Sequence, residues 1–413
     1  MKSMLIAVMT AWCAVACAKD EGPGTYFVPA QGTANVAEKV AAKPGSIRKT
    51  VAFLGGSITE MNGFRPRVMK LLREKYPDVD FAEIASGLSS TCSDAGAFRL
   101  QEDVLAKGAP DLFIVEAAVN DDQDGHFSEE HSIRGMEGTV RHVLTRHPNC
   151  AVVIGLMVNR AQYVSLTNGV TPRHYAAHAK VAAHYGAALA DVGSALAAET
   201  KRGGMTWKEY RDCHPSPAGC DLGAKVVMAA IDRVFDPKIP RAKRPLPQPL
   251  DAKSYFRGTA VPAEKLSLGK GWQVSLPDWK RVPGSKRVYF TREPAIWSET
   301  AGSVLEFSFE GNAAGAFLTA GPDAGDLEAS VDGGDWQLLK LKANYGSLHY
   351  PYVHMIADGL ADGPHRVKLR VVAAKRGKGT GSAVRIHRVF VNGEARAANP
   401  RIQSAKHGER EHE

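Results

Sequence analysis

The stretch that decides the fold of this chain reads Val51-Ala52-Phe53-Leu54-Gly55-Gly56-Ser57-Ile58-Thr59-Glu60. Its first four residues are apolar, as in a parallel strand that is covered by helices on both faces. The glycine pair allows a tight turn at the carboxyl end of that strand, where open α/β sheets bind their ligands. The stretch therefore predicts a buried strand that presents Ser57 as a candidate nucleophile.

The same alternation of apolar runs and helical patterns continues from Lys49 to about Phe235. It predicts an α/β domain with a parallel sheet and right-handed crossovers. The predicted strands are Val51–Leu54, Val79–Ala85, Asp111–Ala117, Ala151–Val158 and, more weakly, Ala187–Val192. The predicted helices are Arg65–Lys75, Ala95–Lys107, Glu129–Arg146, Pro172–Tyr185 and about Pro217–Val234.

The pattern changes after Phe235. A segment rich in Pro, Lys and Arg is followed by apolar residues that alternate with polar ones, as at Leu305, Phe307 and Phe309. Turn signals such as Asp332-Gly333-Gly334 separate these runs. Short alternating strands with such turns predict an antiparallel β-sandwich of jelly-roll type. The expected organisation is a signal peptide at 1–18, an α/β domain at 45–236, a basic Pro-rich linker at 237–252, a β-sandwich at 253–396 and a disordered tail at 397–413.

The first residues predict export. Lys2 precedes an apolar segment from Met4 to Val15, and Ala16-Cys17-Ala18 has the small residues of a cleavage site. Cleavage after Ala18 would release a soluble periplasmic or extracellular protein. The alternative is a lipid anchor at Cys17, since residues 14–17 are similar to a bacterial lipobox.

Composition argues against a nucleic-acid partner. The chain has 413 residues and a formal net charge of +8, with basic residues spread apart from two short clusters. We interpret this charge as a mild preference for acidic surroundings, such as a polyanionic glycan or a cell wall. The cysteines beyond the signal are Cys92, Cys150, Cys213 and Cys220. Disulfides and buried free thiols both remain open, and no pair has the spacing of a zinc site.

Three further segments offer what acyl transfer needs besides a nucleophile. Gly87 follows the second predicted strand and is placed to offer a backbone N–H to an oxyanion. Asn120, in Glu116-Ala117-Ala118-Val119-Asn120-Asp121, is placed to donate from its amide, and His214 precedes the last helix as a candidate base. Each lies at the end of a predicted element, and Asp121 is expected to brace its loop.

Taken together and in this order, the segments resemble the SGNH hydrolase superfamily, also called GDSL-type esterases. The resemblance covers Thr50 to about Phe235 and implies a flavodoxin-like three-layer domain. It implies that Ser57, Gly87 and Asn120 form the oxyanion hole and that His214 is the general base. No metal or other cofactor is implied.

Two positions depart from the family pattern. The third segment of the family usually reads Gly-x-Asn-Asp, and here Ala118 fills the glycine slot, two residues before Asn120. Arg211 stands three residues before His214, where the family usually has aspartate. Asp212 is the nearest carboxylate, so two alternatives remain: Asp212 completes a triad, or His214 works with Ser57 as a dyad.

Several other polar residues have ordinary explanations. Glu60, Arg65 and Arg99 lie close in sequence to the first two segments, so contact with substrate is one alternative, and solvent-facing ion pairs are expected. His174 and His178, one helical turn apart, lack a third metal ligand and are expected on a solvated face. A further set of side chains is either a sugar-binding surface or part of the sandwich core; it comprises Tyr345, His349, Tyr350, Tyr352 and His354.

The export signal, the added sandwich and the SGNH-like segments together resemble bacterial carbohydrate O-acetylesterases. The expected activity is removal of a small acyl group, most simply acetyl, from a glycan through an acyl-enzyme. The alternatives are a general short-chain or lipid esterase, an acyltransferase that passes the acyl group to a sugar alcohol, and a glycan-binding protein with weak catalysis.

Overall fold

A computed structural model describes residues 27–28, 47–235, 245–341, 345–376 and 379–396. The predicted signal peptide with Cys17, the first part of the predicted linker and the predicted tail lie outside the described residues. Two bodies of secondary structure follow one another along the described chain. The first alternates strands and helices, and the second is built from strands.

The first body contains a six-stranded sheet in the order β1-β6-β5-β4-β2-β3. Strands β2 to β6 are parallel, and the short β1 pairs antiparallel with β6. Their bounds are β1 Phe27–Val28, β2 Ile47–Gly55, β3 Val79–Gly87, β4 Leu112–Glu116, β5 Ala151–Leu156 and β6 Ala188–Asp191. The parallel strands have the order of flavodoxin-like folds, whose ligand-binding switch point lies here between β2 and β4.

Helices cover both faces of this sheet, and the predicted three-layer α/β fold is confirmed. Val51 and Phe53 of β2 belong to one core cluster with residues of α2 and α10, whereas Ala52 and Leu54 belong to another with residues of α5 and α7. The bounds are α1 Ser57–Glu60, α2 Phe64–Lys75, α3 Ser93–Leu100, α4 Ala118–Asn120, α5 Glu129–Arg146, α6 Arg160–Thr167, α7 Arg173–Tyr185, α8 Val192–Lys201, α9 Trp207–Tyr210 and α10 Pro217–Phe235. None of the described helices combines the length and the apolar character that a membrane crossing requires.

The helix predicted over Ala95–Lys107 is different in the structure. The α-helix α3 ends at Leu100, and a π-helical turn continues from Gln101 to Leu105. A second π-helical turn, Asp121–Gly125, follows α4. Such turns widen the backbone by one residue and are frequent at functional sites.

The second body is all-β, as predicted. Strand β12 forms its spine: its first half pairs with β16, its second half pairs with β15, and β19 runs along its other edge. Among the described strands the pairing is antiparallel except that β10 runs parallel to β15. The bounds are β7 Gly258–Val261, β8 Ser267–Leu268, β9 Gln273–Ser275, β10 Ser285–Lys286, β11 Ala295–Ser298, β12 Val304–Ala320, β13 Asp326–Val331, β14 Gln337–Leu339, β15 Leu348–Ala357, β16 Gly363–Val372, β17 Ala374–Arg376, β18 Gly379–Gly381 and β19 Val384–Arg396.

The core of the second domain follows the alternation seen in the sequence. Leu305, Phe307 and Phe309 of β12 are fully buried, as are Val367 and Leu369 of β16. These side chains belong to one apolar cluster that the facing strands share. The period-two pattern therefore marks inward-facing positions, as expected for a strand with one covered face.

An aromatic stack joins the two domains. Phe98 of α3 stacks on Tyr255 with ring centroids 5.0 Å apart and on Phe390 of β19 at 5.7 Å. These rings belong to one buried cluster with residues from both domains. The backbones also meet closely, because a methyl group on Gly258 would lie 2.6 Å from the Ala97 carbonyl oxygen, and one on Gly138 would lie 2.8 Å from the Tyr255 carbonyl carbon.

Buried polar contacts add to this interface. Asp103 accepts hydrogen bonds from Arg99 of its own domain at 2.7 Å and from Arg388 of the β-domain at 2.8 Å. The Glu137 carboxylate of α5 accepts from the backbone N–H of Asp251 at 2.9 Å, in the described part of the predicted linker. The linker thus lies along the α/β domain where the structure describes it.

Candidate active site

Ser57 is the first residue of α1 and lies directly after β2 at the carboxyl edge of the sheet. Its Oγ lies 2.7 Å from Nε2 of His214, a residue of the loop between α9 and α10. The two residues are 157 positions apart in the chain, so this pairing depends on the whole α/β fold. A serine hydroxyl at this distance from an imidazole is the arrangement of a nucleophile and its base.

The glycine pair before Ser57 provides space for neighbouring side chains. A methyl group on Gly55 would lie 2.3 Å from Glu116 Oε1, and one on Gly56 would lie 2.1 Å from Asn120 Oδ1. Gly56 has φ −85°, outside the left-handed region that favours glycine. Both glycines are thus required by the close approach of two side chains, Glu116 at the end of β4 and Asn120 in α4.

Glu116 is a functional candidate that the sequence did not indicate. It is fully buried, and its Oε1 accepts hydrogen bonds from the Gly56 N–H at 2.9 Å and from the Thr59 hydroxyl at 2.7 Å. Burial raises the pKa of Glu116 above its ordinary value even though these hydrogen bonds oppose the shift. The Glu116 side chain therefore holds the turn that carries Ser57 through hydrogen bonds to residues on both sides of the serine. Its sequence signal is a single charged residue that ends an apolar strand.

Gly87 lies at the end of β3, where it contacts α1. A methyl group there would lie 2.2 Å from the backbone nitrogen of Glu60. Any side chain at this position would push α1 away from the sheet. The expectation that the Gly87 N–H donates to an oxyanion stays a prediction, and this contact places Gly87 next to α1.

Asn120 is buried beside Gly56, on the other side of the same loop. Its Nδ2 donates one hydrogen bond to Asp124 Oδ2 at 2.8 Å, and the same nitrogen carries a second N–H. The Asp124 Oδ1 accepts a hydrogen bond from the hydroxyl of Tyr345, a residue of the β-domain. A chain of hydrogen bonds thus runs from the second domain through Asp124 to the amide of Asn120. Neither Asp124 nor the direction of Tyr345 was evident from the sequence.

The loop that carries His214 is held by the side chain of Arg211. The guanidinium donates to the carbonyl oxygen of His214 at 2.9 Å and 2.5 Å, and Arg211 itself has φ +93°. A non-glycine residue in this region costs free energy unless its surroundings hold it there. Arg211 therefore shapes the loop, in the slot where the family pattern places aspartate.

Asp212 caps the backbone and does not hydrogen-bond the His214 ring. Its Oδ1 accepts from the His214 N–H at 2.6 Å but lies 3.9 Å from the ring Nδ1. The Cys213 Sγ lies 3.7 Å from the same nitrogen. Burial, and then the neighbouring Asp212 carboxylate, raises the pKa of the Cys213 thiol. Cys150, Cys213 and Cys220 are free thiols.

Asp121 braces the loop after β4, as the sequence suggested. Its carboxylate accepts from the Ser93 N–H at 2.8 Å, from the Ser93 hydroxyl at 2.8 Å and lies 3.0 Å from His178 Nε2. Burial by itself would raise the pKa of Asp121, but these contacts outweigh it and lower the pKa. The Asp121–His178 pair is completely buried.

The expectation of a solvated face for His174 and His178 is wrong. Both are buried, at 2% and 0% exposure, because α7 packs against the loop that follows β4. His174 Nδ1 lies 2.9 Å from the Ser132 hydroxyl, and its Nε2 lies 3.6 Å from Asp122. The two histidines are thus polar packing residues behind the loop of Asn120.

The ion-pair expectations have mixed outcomes. Glu60 is exposed and accepts a hydrogen bond from the Ser89 N–H at 2.7 Å, and Arg65 pairs with Glu83. Arg99 is instead 2% exposed and donates to Asp103 and to the Ser86 carbonyl oxygen. The interpretation of Arg99 as solvent-facing is therefore wrong.

The aromatic stretch of the β-domain lies partly in the sandwich core, and its role in binding sugar stays a prediction. Tyr350 and Tyr352 are buried in the sandwich, whereas Tyr345 is 40% exposed. All three also line a small cavity at the domain junction, together with Phe127 and Asp124. The stretch is therefore core on one side and cavity wall on the other.

Comparisons with known proteins agree with this arrangement. Residues 53–222 match the model of the GDSL-like Lipase/Acylhydrolase family. No curated protein matches the chain. A crystal structure of a two-domain esterase (CEX) active on acetylated mannans, co-crystallized with mannopentaose, has a TM-score of 0.72 at 21% identity and covers 90% of this chain and 98% of its own.

Two further structures show similarity of different extent. A second crystal structure of CEX has a TM-score of 0.68 at 23% identity and covers 86% of this chain and 93% of its own. An acetyl xylan esterase from Geobacillus stearothermophilus, Axe2, has a TM-score of 0.36 at 20% identity and covers 49% of this chain and 100% of its own. Residues 53–222 of this chain are therefore similar to the GDSL-like Lipase/Acylhydrolase family, and they lie within a two-domain fold that is shared with CEX.

Proposed function

We propose that the protein is a serine esterase that removes small acyl groups, most simply acetyl, from a glycan. The observation that carries the esterase is the 2.7 Å contact between Ser57 Oγ and His214 Nε2 at the carboxyl edge of the sheet. The Ser57–His214 contact lies beside the switch point of the sheet, because Ser57 follows β2 and Asn120 follows β4. Gly87 and Asn120 pack against the same loop from either side.

In the proposed mechanism, Ser57 Oγ attacks the ester carbonyl carbon while His214 Nε2 takes its proton. The developing oxyanion accepts hydrogen bonds from the Ser57 N–H, the Gly87 N–H and the Asn120 amide. His214 then gives its proton to the leaving alcohol, and the acyl group remains on Ser57. Water, deprotonated by His214, hydrolyses this ester and releases the acid. The serine hydroxyl regains its proton from His214.

Among the residues that the structure describes, no carboxylate lies within hydrogen-bonding distance of Nδ1 of the proposed base. Asp212, at 3.9 Å, stabilises the imidazolium through its charge, and its contact with the backbone N–H fixes the loop. This geometry supports the dyad alternative. The orientation of the ring then depends on the loop that Arg211 holds.

The esterase proposal is tested with Ser57→Ala on p-nitrophenyl acetate. We expect kcat to fall by at least about 10³-fold, as losses of this size follow removal of a nucleophile. Ser165→Ala, on the exposed face of α6, is the matched control and should keep its activity. A fluorophosphonate probe should label the parent chain and the Ser165 variant but not the Ser57 variant. A folded Ser57→Ala protein with full activity would contradict the proposal.

The glycan substrate is supported by two features. The chain shares its two-domain fold with CEX, which is active on acetylated mannans. An aromatic wall of Tyr345, Tyr350 and Tyr352 lies beside Asp124, which contacts the proposed oxyanion donor Asn120. Aromatic side chains offer large, rigid apolar surface with a polar tip, which suits the faces and hydroxyls of sugars.

Acetate release from acetylated mannan, xylan, pectin and peptidoglycan tests the substrate class. We expect release from at least one polymer at a rate above that on p-nitrophenyl acetate at equal ester concentration. Activity confined to long-chain esters would instead favour a lipid esterase. Transfer of the acetyl group to an added sugar would favour the acyltransferase, and an unlabelled Ser57 with retained glycan binding would favour a binding protein.

Export is part of the proposal and rests on the sequence pattern of residues 1–18. A polymer substrate outside the cell requires the enzyme there. The test is to express the protein with and without residues 1–18 and to fractionate the cells. We expect the full chain in the culture medium or the envelope and the shortened chain in the cytoplasm. Labelling with a palmitate analogue then distinguishes an anchor at Cys17 from a soluble product.

A further inference from the structure

A group of three possible metal ligands lies next to the proposed base. We call Asp212, Cys213 and His214 the 212–214 cluster. His214 Nδ1 lies 3.7 Å from Cys213 Sγ and 3.9 Å from Asp212 Oδ1, and all three ligand atoms lie within 4.8 Å of one another. Within the described part of the chain, no other three His, Cys, Asp or Glu side chains bring ligand atoms this close.

The spacing of these atoms suits tetrahedral zinc. Bond lengths of about 2.3 Å to sulfur and about 2.0 Å to nitrogen and oxygen place tetrahedral ligand atoms about 3.3 to 3.6 Å apart. The Sγ–Nδ1 separation of 3.7 Å is close to the zinc value of about 3.6 Å, whereas the Nδ1–Oδ1 separation of 3.9 Å exceeds the value of about 3.3 Å for two light ligand atoms, so the Asp212 side chain must rotate toward the ion. The chemistry of thiolate, imidazole and carboxylate also favours zinc over magnesium or calcium.

The cluster is open to solvent. The side chains of Asp212 and His214 are 56% and 39% exposed, so an ion reaches them without unfolding the loop. The guanidinium of Arg211 lies on the other side of Asp212, 3.9 Å from Oδ2, and its donors are directed at the His214 carbonyl oxygen. The Oδ1 that faces the ring remains close to Nδ1 and Sγ.

We propose that the 212–214 cluster binds Zn²⁺, or a similar thiophilic divalent cation, and that this ion inhibits the enzyme. The ion displaces the thiol proton of Cys213 to water and bonds the thiolate, His214 Nδ1 and Asp212 Oδ1, with water as the fourth ligand. Because Nδ1 then gives its lone pair to the metal, the neutral ring carries its proton on Nε2. An Nε2–H cannot accept the proton of Ser57. Binding rests on the geometry alone, whereas inhibition also rests on the proposed role of His214.

Binding is tested in the full chain with Co²⁺, which occupies zinc sites and gives a thiolate charge-transfer band in the near ultraviolet. We expect the band in the parent protein and in Cys220→Ser, and no band in Cys213→Ser. Cys220 is the matched control because it is a free thiol seven residues further along that is absent from the cluster. A missing band in the parent protein would overturn the proposal.

Inhibition is tested by titrating Zn²⁺ into the p-nitrophenyl acetate assay and reversing it with EDTA. Mutation of a residue that only hydrogen-bonds a metal ligand already lowers metal affinity about 10- to 100-fold. Cys213→Ser should therefore raise the half-inhibitory Zn²⁺ concentration at least about tenfold, relative to each variant's own metal-free rate. Equal inhibition of Cys213→Ser and the parent would place the ion elsewhere, for example on Nε2, and overturn the proposal. If the chain shows no esterase activity at all, the proposed function fails and the Co²⁺ band still decides the site.

Discussion

At the scale of single residues, the surroundings of His214 differ from those of a full catalytic triad. Arg211 occupies the slot that the family pattern gives to aspartate, and its side chain holds the loop through the His214 carbonyl oxygen. Asp212 holds the same loop through the His214 N–H. Two residues thus position the backbone of the proposed base, while no described carboxylate hydrogen-bonds its ring.

This geometry predicts a small effect of Asp212→Asn on catalysis. The amide oxygen of asparagine still accepts the His214 N–H, so only the charge near the ring is lost. We expect kcat on p-nitrophenyl acetate to fall less than about tenfold, whereas loss of the aspartate from a Ser-His-Asp triad costs about 10⁴-fold. Asp221→Asn, an exposed ion-pair partner of Arg67, is the control. A decrease near 10⁴-fold would show that Asp212 reaches the ring during turnover.

A second residue prediction concerns Glu116. Glu116→Ala removes the acceptor of two buried donors, the Gly56 N–H and the Thr59 hydroxyl, whereas Glu116→Gln keeps an amide oxygen there. We expect Glu116→Ala to lower kcat about 100-fold, since a displacement of about 1 Å at a reacting group costs that much. Glu116→Gln should retain most of the activity and leave KM unchanged. Equal losses in the two variants would indicate that the ionised carboxylate itself is needed.

The sequence identified the residues whose positions in the chain follow a pattern. Ser57, Gly87, Asn120 and His214 each stand at the end of a predicted element, and the fold brings those ends together around α1. Glu116 and Asp124 have no such pattern, because their importance lies in which distant atom they contact. The burial of His174 and His178 was missed for a similar reason, since the spacing of a helix face does not tell which neighbour covers it.

At the scale of elements, prediction succeeded where the ends are marked by local chemistry. Helix α5 has its predicted bounds, Glu129–Arg146, because the Ser128 side chain accepts the His131 N–H as an N-cap and acidic residues fill the first turn. The helix predicted to Lys107 fails because the π-helical turn after Leu100 leaves no sequence signature. Helices α6 and α8 were not predicted, since each is short with weak periodicity.

The turn before β15, which carries Tyr345, gives a test of communication between the domains. Tyr345→Phe removes the hydroxyl that donates to Asp124, which in turn orients the Asn120 amide. We expect kcat to fall about 3- to 10-fold, corresponding to one charge-assisted hydrogen bond whose effect is partly transmitted. Tyr185→Phe is the control: it removes a hydroxyl that hydrogen-bonds Glu137 at 2.7 Å, away from Ser57, and should leave kcat unchanged. A change in KM alone would assign Tyr345 to substrate binding.

At the scale of the whole molecule, buried titratable groups set the response to acid. Burial, and then Arg146, lowers the pKa of His142 to about 4, and burial followed by Arg388 and Arg385 does the same for His387. Between pH 6.5 and 4 these histidines are protonated in the unfolded chain but stay neutral in the folded protein. The free energy of unfolding therefore falls as the pH falls. Asp191 opposes this trend, because burial raises its pKa to about 6.

The contribution of His142 is measurable by urea unfolding at pH 7.5 and pH 5.0. His142→Gln cannot take up a proton, so its stability should fall less than that of the parent, by about 2 kcal/mol for a pKa depressed from 6.5 to about 4. His126→Asn, at an exposed position, is the control and should follow the parent. An identical pH dependence of parent and His142→Gln would mean that His142 is hydrated in the folded state.

The close approach of the backbones at Gly138 and Gly258 limits relative motion of the two domains, because a ring stack and main-chain atoms are in direct contact there. If the chain acts on a glycan polymer as proposed, we expect the two domains to keep the same relative orientation whether or not that polymer is bound.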